Sequence, residues 1–227
     1  MQQSAYLGML VDEVQGGQYR VCSQPEQKIA ADEISLSQLL HPDHRPRLER
    51  AQRLQIALKI ASSHLQLHST PWARRQWEAV DVRFPQTGSN PTDILLDRPF
   101  VSADFEAQSP PLTAQTPKAS DRSFGCLGIM LLELAFGTRL EEHELWQQMG
   151  VSNAKSAVFR VMVAKQWAEY VEGEAGSEFS SAVLWCLNKS PTTLSGDEWR
   201  KDLASEVVLP LQNCCEWSGA WNYRPRQ

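Results

Sequence analysis

No apolar run in this chain approaches the roughly 20 residues that a membrane-spanning helix needs; the longest, within residues 124–136, is about a dozen and is broken by Glu133. Membrane insertion is therefore not expected. The segment MQQSAYLGML lacks the basic start and long apolar core of a secretory leader. Positive charge is not in excess either: 22 Lys and Arg face 27 Asp and Glu, for a net charge of −5. That balance argues against a nucleic-acid surface. The basic residues of Arg45–Arg53 alternate with acidic and apolar ones, and Arg224 and Arg226 lie in a short tail, so both groups read as solvated. The five cysteines have no framework spacing. Cys126 and Cys186 sit in apolar helical stretches and read as reduced core residues, and the adjacent Cys214 and Cys215 are poorly placed for a simple disulfide. A reducing, cytoplasmic compartment is the expectation. No Gly-x-Ser-x-Gly elbow and no cysteine-nucleophile signature occurs. His41 and His44 in HPDH have no second ligand pair, and His64 and His68, at i,i+4, lack the glutamate of a metalloprotease helix. No metal or cofactor site is expected.

What is present is an ordinary globular composition, 42% apolar and 22% charged over 227 residues, enough for one domain with a sizeable core. Its clearest element is SDRSFGCLGIMLLELAFG, Ser120–Gly137. Apolar on nearly every side, this segment must be a helix buried all round. Ser120 can cap it, Asp121 suits the positive end of its dipole, and Gly137 is placed to stop it.

Around this pillar the pattern predicts a β-hairpin from Tyr6–Val11 and Tyr19–Cys22 across Gly16-Gly17, then an irregular stretch over 23–33. ISLSQLL, 34–40, is a short amphipathic element, and two prolines break the chain over His41–Pro46. Leu48–His68 is a long helix with Leu54, Leu58, Ala61, Leu65 and His68 on one face, ended by Pro71. Residues 72–119 read as mostly irregular, with short strands or turns at Val80–Phe84, Ile94–Leu96 and Phe100–Val101. Four helices follow the pillar: Glu141–Gln148; Lys155–Val171, with Val158, Val161, Lys165 and Ala168 sharing a face; Phe179–Leu187; and Asp197–Leu209. The last is opened by a Ser195/Glu198 capping box and closed or kinked by Pro210. Among the eight tryptophans, Trp146, Trp167, Trp185 and Trp199 read as core, and Trp217 and Trp221 as either docked on the body or a partner patch. The fold class is mainly α, as α+β.

Several segments, in order, resemble a protein kinase lacking most of its N-lobe. YLGMLVDEVQGGQYRV resembles the strands leading to the hinge, ISLSQLL the helix after it, and RLQIALKIASSHLQLHS the long E helix. SDRSFGCLGIMLLELAFGTRL resembles the buried F helix, and VLWCLNKSP the H-helix stretch. A closer likeness is to a fungal domain of unknown function with a degenerate kinase-like C-lobe, carried by Leu67–Trp72, Pro99–Ser102, Phe124–Leu134 and Val207–Leu211. The resemblance implies a single kinase-like domain over 1–227: an N-lobe remnant at 1–33, a helical C-lobe at 34–221 and a tail at 222–227. It also implies a link to fungal incompatibility or cell-death signalling.

Phosphoryl transfer requires a glycine-rich loop, a phosphate-binding lysine, a catalytic aspartate and magnesium ligands. The first two belong N-terminal to the matched region. The catalytic loop aligns in two registers. One sets ARRQWEAVDVRF on the kinase pattern, so that Arg75 keeps the arginine, Gln76 replaces the catalytic aspartate, Glu78 the lysine and Asp81 the asparagine. The other uses DILLD and puts Gly88 at the aspartate and Asp93 at the asparagine. Neither Gln nor Gly can take a proton as a carboxylate does. Trp72 and Trp77 flank the segment and could fill the space of a substrate. The expectation is a non-catalytic module that binds a protein partner or acts as a scaffold. Two alternatives stand beside it: a divergent kinase or nucleotide-binding pseudokinase using Asp104 of an Asp-Phe-Glu remnant, and a fragment whose N-lobe is completed from elsewhere.

Overall fold

A computed structural model describes residues 6–11, 18–22, 32–67, 77–88, 90, 93–101, 120–148, 157–189 and 198–218. Strands β1 (Tyr6–Val11) and β2 (Gln18–Cys22) pair antiparallel as a two-stranded sheet, as the alternation predicts. A second antiparallel sheet has the order β3 (Asp32–Ser35), β4 (Val82–Gln86), β5 (Phe100–Val101). Ile34 pairs with Phe84, and Val82 with Val101, so the apolar side chains of β4 face the core.

Strand β3 corrects the expectation that ISLSQLL is one element. Ile34 and Ser35 finish a strand, and helix α1 (Leu36–Leu39) begins at once. The switch is made by Ser35, whose Oγ accepts from Gln38 N while Ser35 N donates to Gln38 Oε1, a complete capping box.

Helix α2 (Arg50–Leu67) buries Leu54, Ile56, Ala57, Ile60, Ala61 and His64. This stripe is broader than the predicted face and phased differently: Leu58 and Leu65 are only partly buried, because the helices at Ser120–Phe136 and Leu209–Trp217 and the π-helical turn at 204–208 crowd the helix from more than one direction. Helix α3 (Ser120–Phe136) is the expected pillar, buried from Leu127 to Ala135. It stops at Gly137, whose φ of +68° suits glycine, with Gly137 N and Thr138 N both donating to Glu133 O.

A 3-10 turn (Leu140–Glu142) leads into α4 (Glu144–Gln148). Then come α5 (Ala157–Trp167), a 3-10 turn (Ala168–Tyr170), α6 (Val171–Ala175) and α7 (Ser177–Asn188). The face predicted over 155–171 holds only in part, with Ala168 buried and Val161 packed against the core. Val158 and Lys165 are exposed, and Phe159, Val163, Ala164 and Trp167 are buried. AVFRVMVAKQW is apolar nearly all round, so aromatic packing sets its phase: Trp167 stacks on Phe136 at 4.6 Å, and Phe159 meets Trp146 at 5.1 Å.

Helices α3 and α7 approach closely at Gly128, where a β-carbon would lie 2.9 Å from Leu187 and 3.0 Å from Cys186. The last helical run does not end before Pro210. Helix α8 (Glu198–Leu203) passes through the π-helical turn into α9 (Leu209–Trp217). The widened turn accommodates the proline, which sits at the start of α9 where a missing N–H is tolerated. Ser195, the predicted cap of this run, lies outside the described residues.

Candidate functional site

In the described part of the segment aligned with the kinase catalytic loop, a tryptophan packs into the core beside a small cavity. Trp77 is buried and meets the His64 ring edge-on, with centroids 5.3 Å apart. His64 in turn lies 6.2 Å from Phe124, and Phe124 meets Trp185 at 5.3 Å and Trp199 at 6.3 Å. A ring-to-ring path thus runs from this segment through α2 and α3 to α7 and α8. The core histidine is His64; His68, read as core from the sequence, lies outside the described residues.

Beside Trp77 is a cavity of about 110 Å³, walled by Ile60, Leu67, Val82, Phe100 and Val101, with Ser63 supplying a hydroxyl. Among the described residues, no charged side chain lines it. Such a wall can take an apolar group but offers nothing to a triphosphate.

Both carboxylates aligned with the metal-binding asparagine serve their own turns. Asp81 Oδ2 accepts from Glu78 N at 3.0 Å, and Asp81 N donates to Glu78 O at 2.9 Å. Asp93 Oδ2 accepts from Asn90 N at 3.1 Å, and Asp93 O accepts from Thr87 N and Oγ1. A β-carbon at Gly88 would stand 2.3 Å from Asp93 Oδ2. In that register, an aspartate at the catalytic position would collide with the residue aligned to the metal ligand. Gln76, Trp72 and Asp104 lie outside the described residues, as does the side chain of Asp121.

The strongest electrostatic feature escaped the sequence reading. Glu133 is buried in α3, and its Oε1 accepts from Leu140 N at 3.0 Å. Burial pushes its pKa up to about 7 against the pull of the Leu140 N–H. Glu141 and Glu78 raise it further, and Arg160 lowers it. Arg160 of α5 donates to Glu78 at 2.9 Å and stands 4.0 Å from Glu141. One cation therefore joins the turn before β4 to the corner after α3. The available signal was Glu133 itself, a lone charge four residues before a helix-ending glycine.

Elsewhere, His41 Nδ1 accepts from Asp43 N at 3.2 Å and lies 3.6 Å from the Asp43 carboxylate. Among the described residues, no group of three His, Cys, Asp or Glu side chains is arranged to hold a metal. Cys126, Cys186, Cys214 and Cys215 are free thiols. Burial raises the pKa of Cys186 and pushes Cys215 up to about 11, which disfavours the nucleophilic thiolate. No helix among the described residues is long and apolar enough to cross a membrane.

A family model described as a domain of unknown function (DUF7580) matches residues 3–217, and the chain belongs to that family. No curated protein and no solved structure matches it.

Proposed function

We propose that this member of the DUF7580 family is a non-catalytic, pseudokinase-like module that binds a protein partner or serves as a scaffold in cytoplasmic fungal signalling. The kinase likeness rests on the ordered sequence matches to the E, F and H helices. The observation that supports the loss of catalysis is the buried Trp77 on His64, beside a cavity that no charged side chain lines among the described residues. The occupation of Asp81 and Asp93 by their own turns points the same way. Without chemistry to perform, the use of such a body is its surface. Trp217, 89% exposed at the end of α9, is the kind of anchor that protein interfaces favour.

The test is a thermal-shift titration of the full chain with ATP and magnesium. A scaffold gives no shift at millimolar nucleotide. A magnesium-dependent rise in Tm that is reduced in Asp104→Ala would overturn this reading in favour of a nucleotide-binding pseudokinase.

A further inference from the structure

Between α1, the 40–46 loop and the corner after α3 lies an open cavity of about 270 Å³, lined by Ser37, Gln38, His41, His44 and Arg139. All five side chains can donate hydrogen bonds, and no carboxylate is among them. Apart from Arg139 Nη2, which donates to Glu142, no donor of these side chains has a bonded acceptor among the described residues. Gln38 Oε1 accepts both Ser35 bonds, which leaves its amide N–H groups free to donate. His41 Nδ1 is used as an acceptor from Asp43 N, so its proton sits on Nε2 when the ring is neutral. Arg139 donates from Nη2 to Glu142, and its buried Nε has no partner among the described residues. Neither Ser37 Oγ nor the His44 ring has a bonded acceptor among those residues.

A buried donor without an acceptor is costly, and Arg139 Nε is one; Gln38 is exposed and His41 partly so, which leaves their donors accessible to a ligand. Five donor side chains around one opening, one of them a permanent cation with an unpartnered buried nitrogen, suit an anionic ligand. The geometry points to a phosphate-monoester site on this face, in which Arg139 supplies the charge and Ser37, Gln38, His41 and His44 supply hydrogen bonds to the phosphate oxygens. A carboxylate is the weaker match. It offers two oxygens to five donors, and Glu142 already gives Arg139 one.

The phosphate could be free or carried on a phosphorylated side chain, and the two are separable. The full chain is titrated with inorganic phosphate and with N-acetyl-phosphoserine amide at constant ionic strength, while the His41 and His44 imidazole signals are followed by NMR. Saturable shifts are expected with both, weakened at least tenfold in Arg139→Gln and in the His41→Ala/His44→Ala pair. Tighter binding of the phosphoserine amide assigns the site to a phosphorylated side chain, and equal binding assigns it to phosphate itself. The double variant keeps the result readable if Arg139→Gln fails to fold. Absence of saturation, an equal response to chloride or acetate, or unchanged phosphate affinity in a folded variant would overturn the proposal.

Discussion

The guanidinium of Arg53 passes so close to Gly137 that a β-carbon there would lie 2.8 Å from Nη1. Arg53, on α2, donates from that nitrogen to the carbonyls of Leu134 and Ala135 and so caps the end of α3 with a cation from another helix. Gly137→Ala would strain a φ of +68° and displace this cap together. A loss of about 1–3 kcal/mol is expected in urea unfolding. Arg53→Met should cost a similar amount, since it leaves the Leu134 and Ala135 carbonyls without their cation. The two losses should be strongly sub-additive in the double variant, because each removes the same contact.

Glu133 should make stability depend on pH near neutrality. Its pKa is about 7 in the folded chain against 4.5 in the unfolded one, so the folded state holds the proton more tightly. The stabilisation is therefore complete below pH 4.5 and is lost as pH rises through 7. In this window the slope approaches about 1.4 kcal/mol per pH unit at most. Urea unfolding between pH 5 and 8 should fall with pH in the wild type and flatten in Glu133→Gln, whose amide oxygen can still accept from Leu140 N. Equal slopes in the two proteins would place the titration elsewhere.

Much of the helical body was legible because several signals coincided at single elements. Over Ser120–Gly137, all-round apolarity and the glycine stop agreed, and the helix is where they placed it. Other elements lacked a local signal. Strand β3 is four residues, DEIS, with one large apolar side chain, and it exists because β4, distant in sequence, pairs with it. Helix α5 has too many apolar residues to phase by period, and the run past Pro210 depends on a π-helical turn that no pattern announces. At the candidate site, the proposed loss of a catalytic aspartate rests on Gln76 and Gly88 in the sequence alignment alone. The pairing of His64 with Trp77 could not be read there, because packing joins residues whose spacing carries no motif.

Two glycines in helices should respond oppositely to alanine. At Gly128 a β-carbon would press on Leu187 and Cys186, so Gly128→Ala is expected to lose about 1–3 kcal/mol by overpacking, less the gain of about 1 kcal/mol in helix propensity. At Gly173 nothing lies within 4 Å, so Gly173→Ala should keep only the gain, up to about 1 kcal/mol. Thermal or urea unfolding of both variants tests whether α7 is held against α3 by the missing side chain.

Trp217 is 89% exposed, and its side chain contributes little to the core. Trp217→Ser should change folding stability by less than about 0.5 kcal/mol. If the residue anchors a partner, the same substitution should weaken that binding by about 2 kcal/mol or more. A pull-down followed by a measured affinity reads the second effect apart from the first.

Trp77→Ala distinguishes a plug from a lid over a working cleft. Trp77 is buried at the edge of an apolar cavity and meets His64 edge-on, so its removal enlarges that space rather than exposing a charged site. A loss of about 3–5 kcal/mol in unfolding free energy is expected. The variant should also gain affinity for a small apolar probe such as benzene, since enlarged apolar cavities stay dry and take such ligands. ATP with magnesium should still produce no thermal shift. A variant that lost little stability and began to bind nucleotide would mean that Trp77 covers a competent cleft.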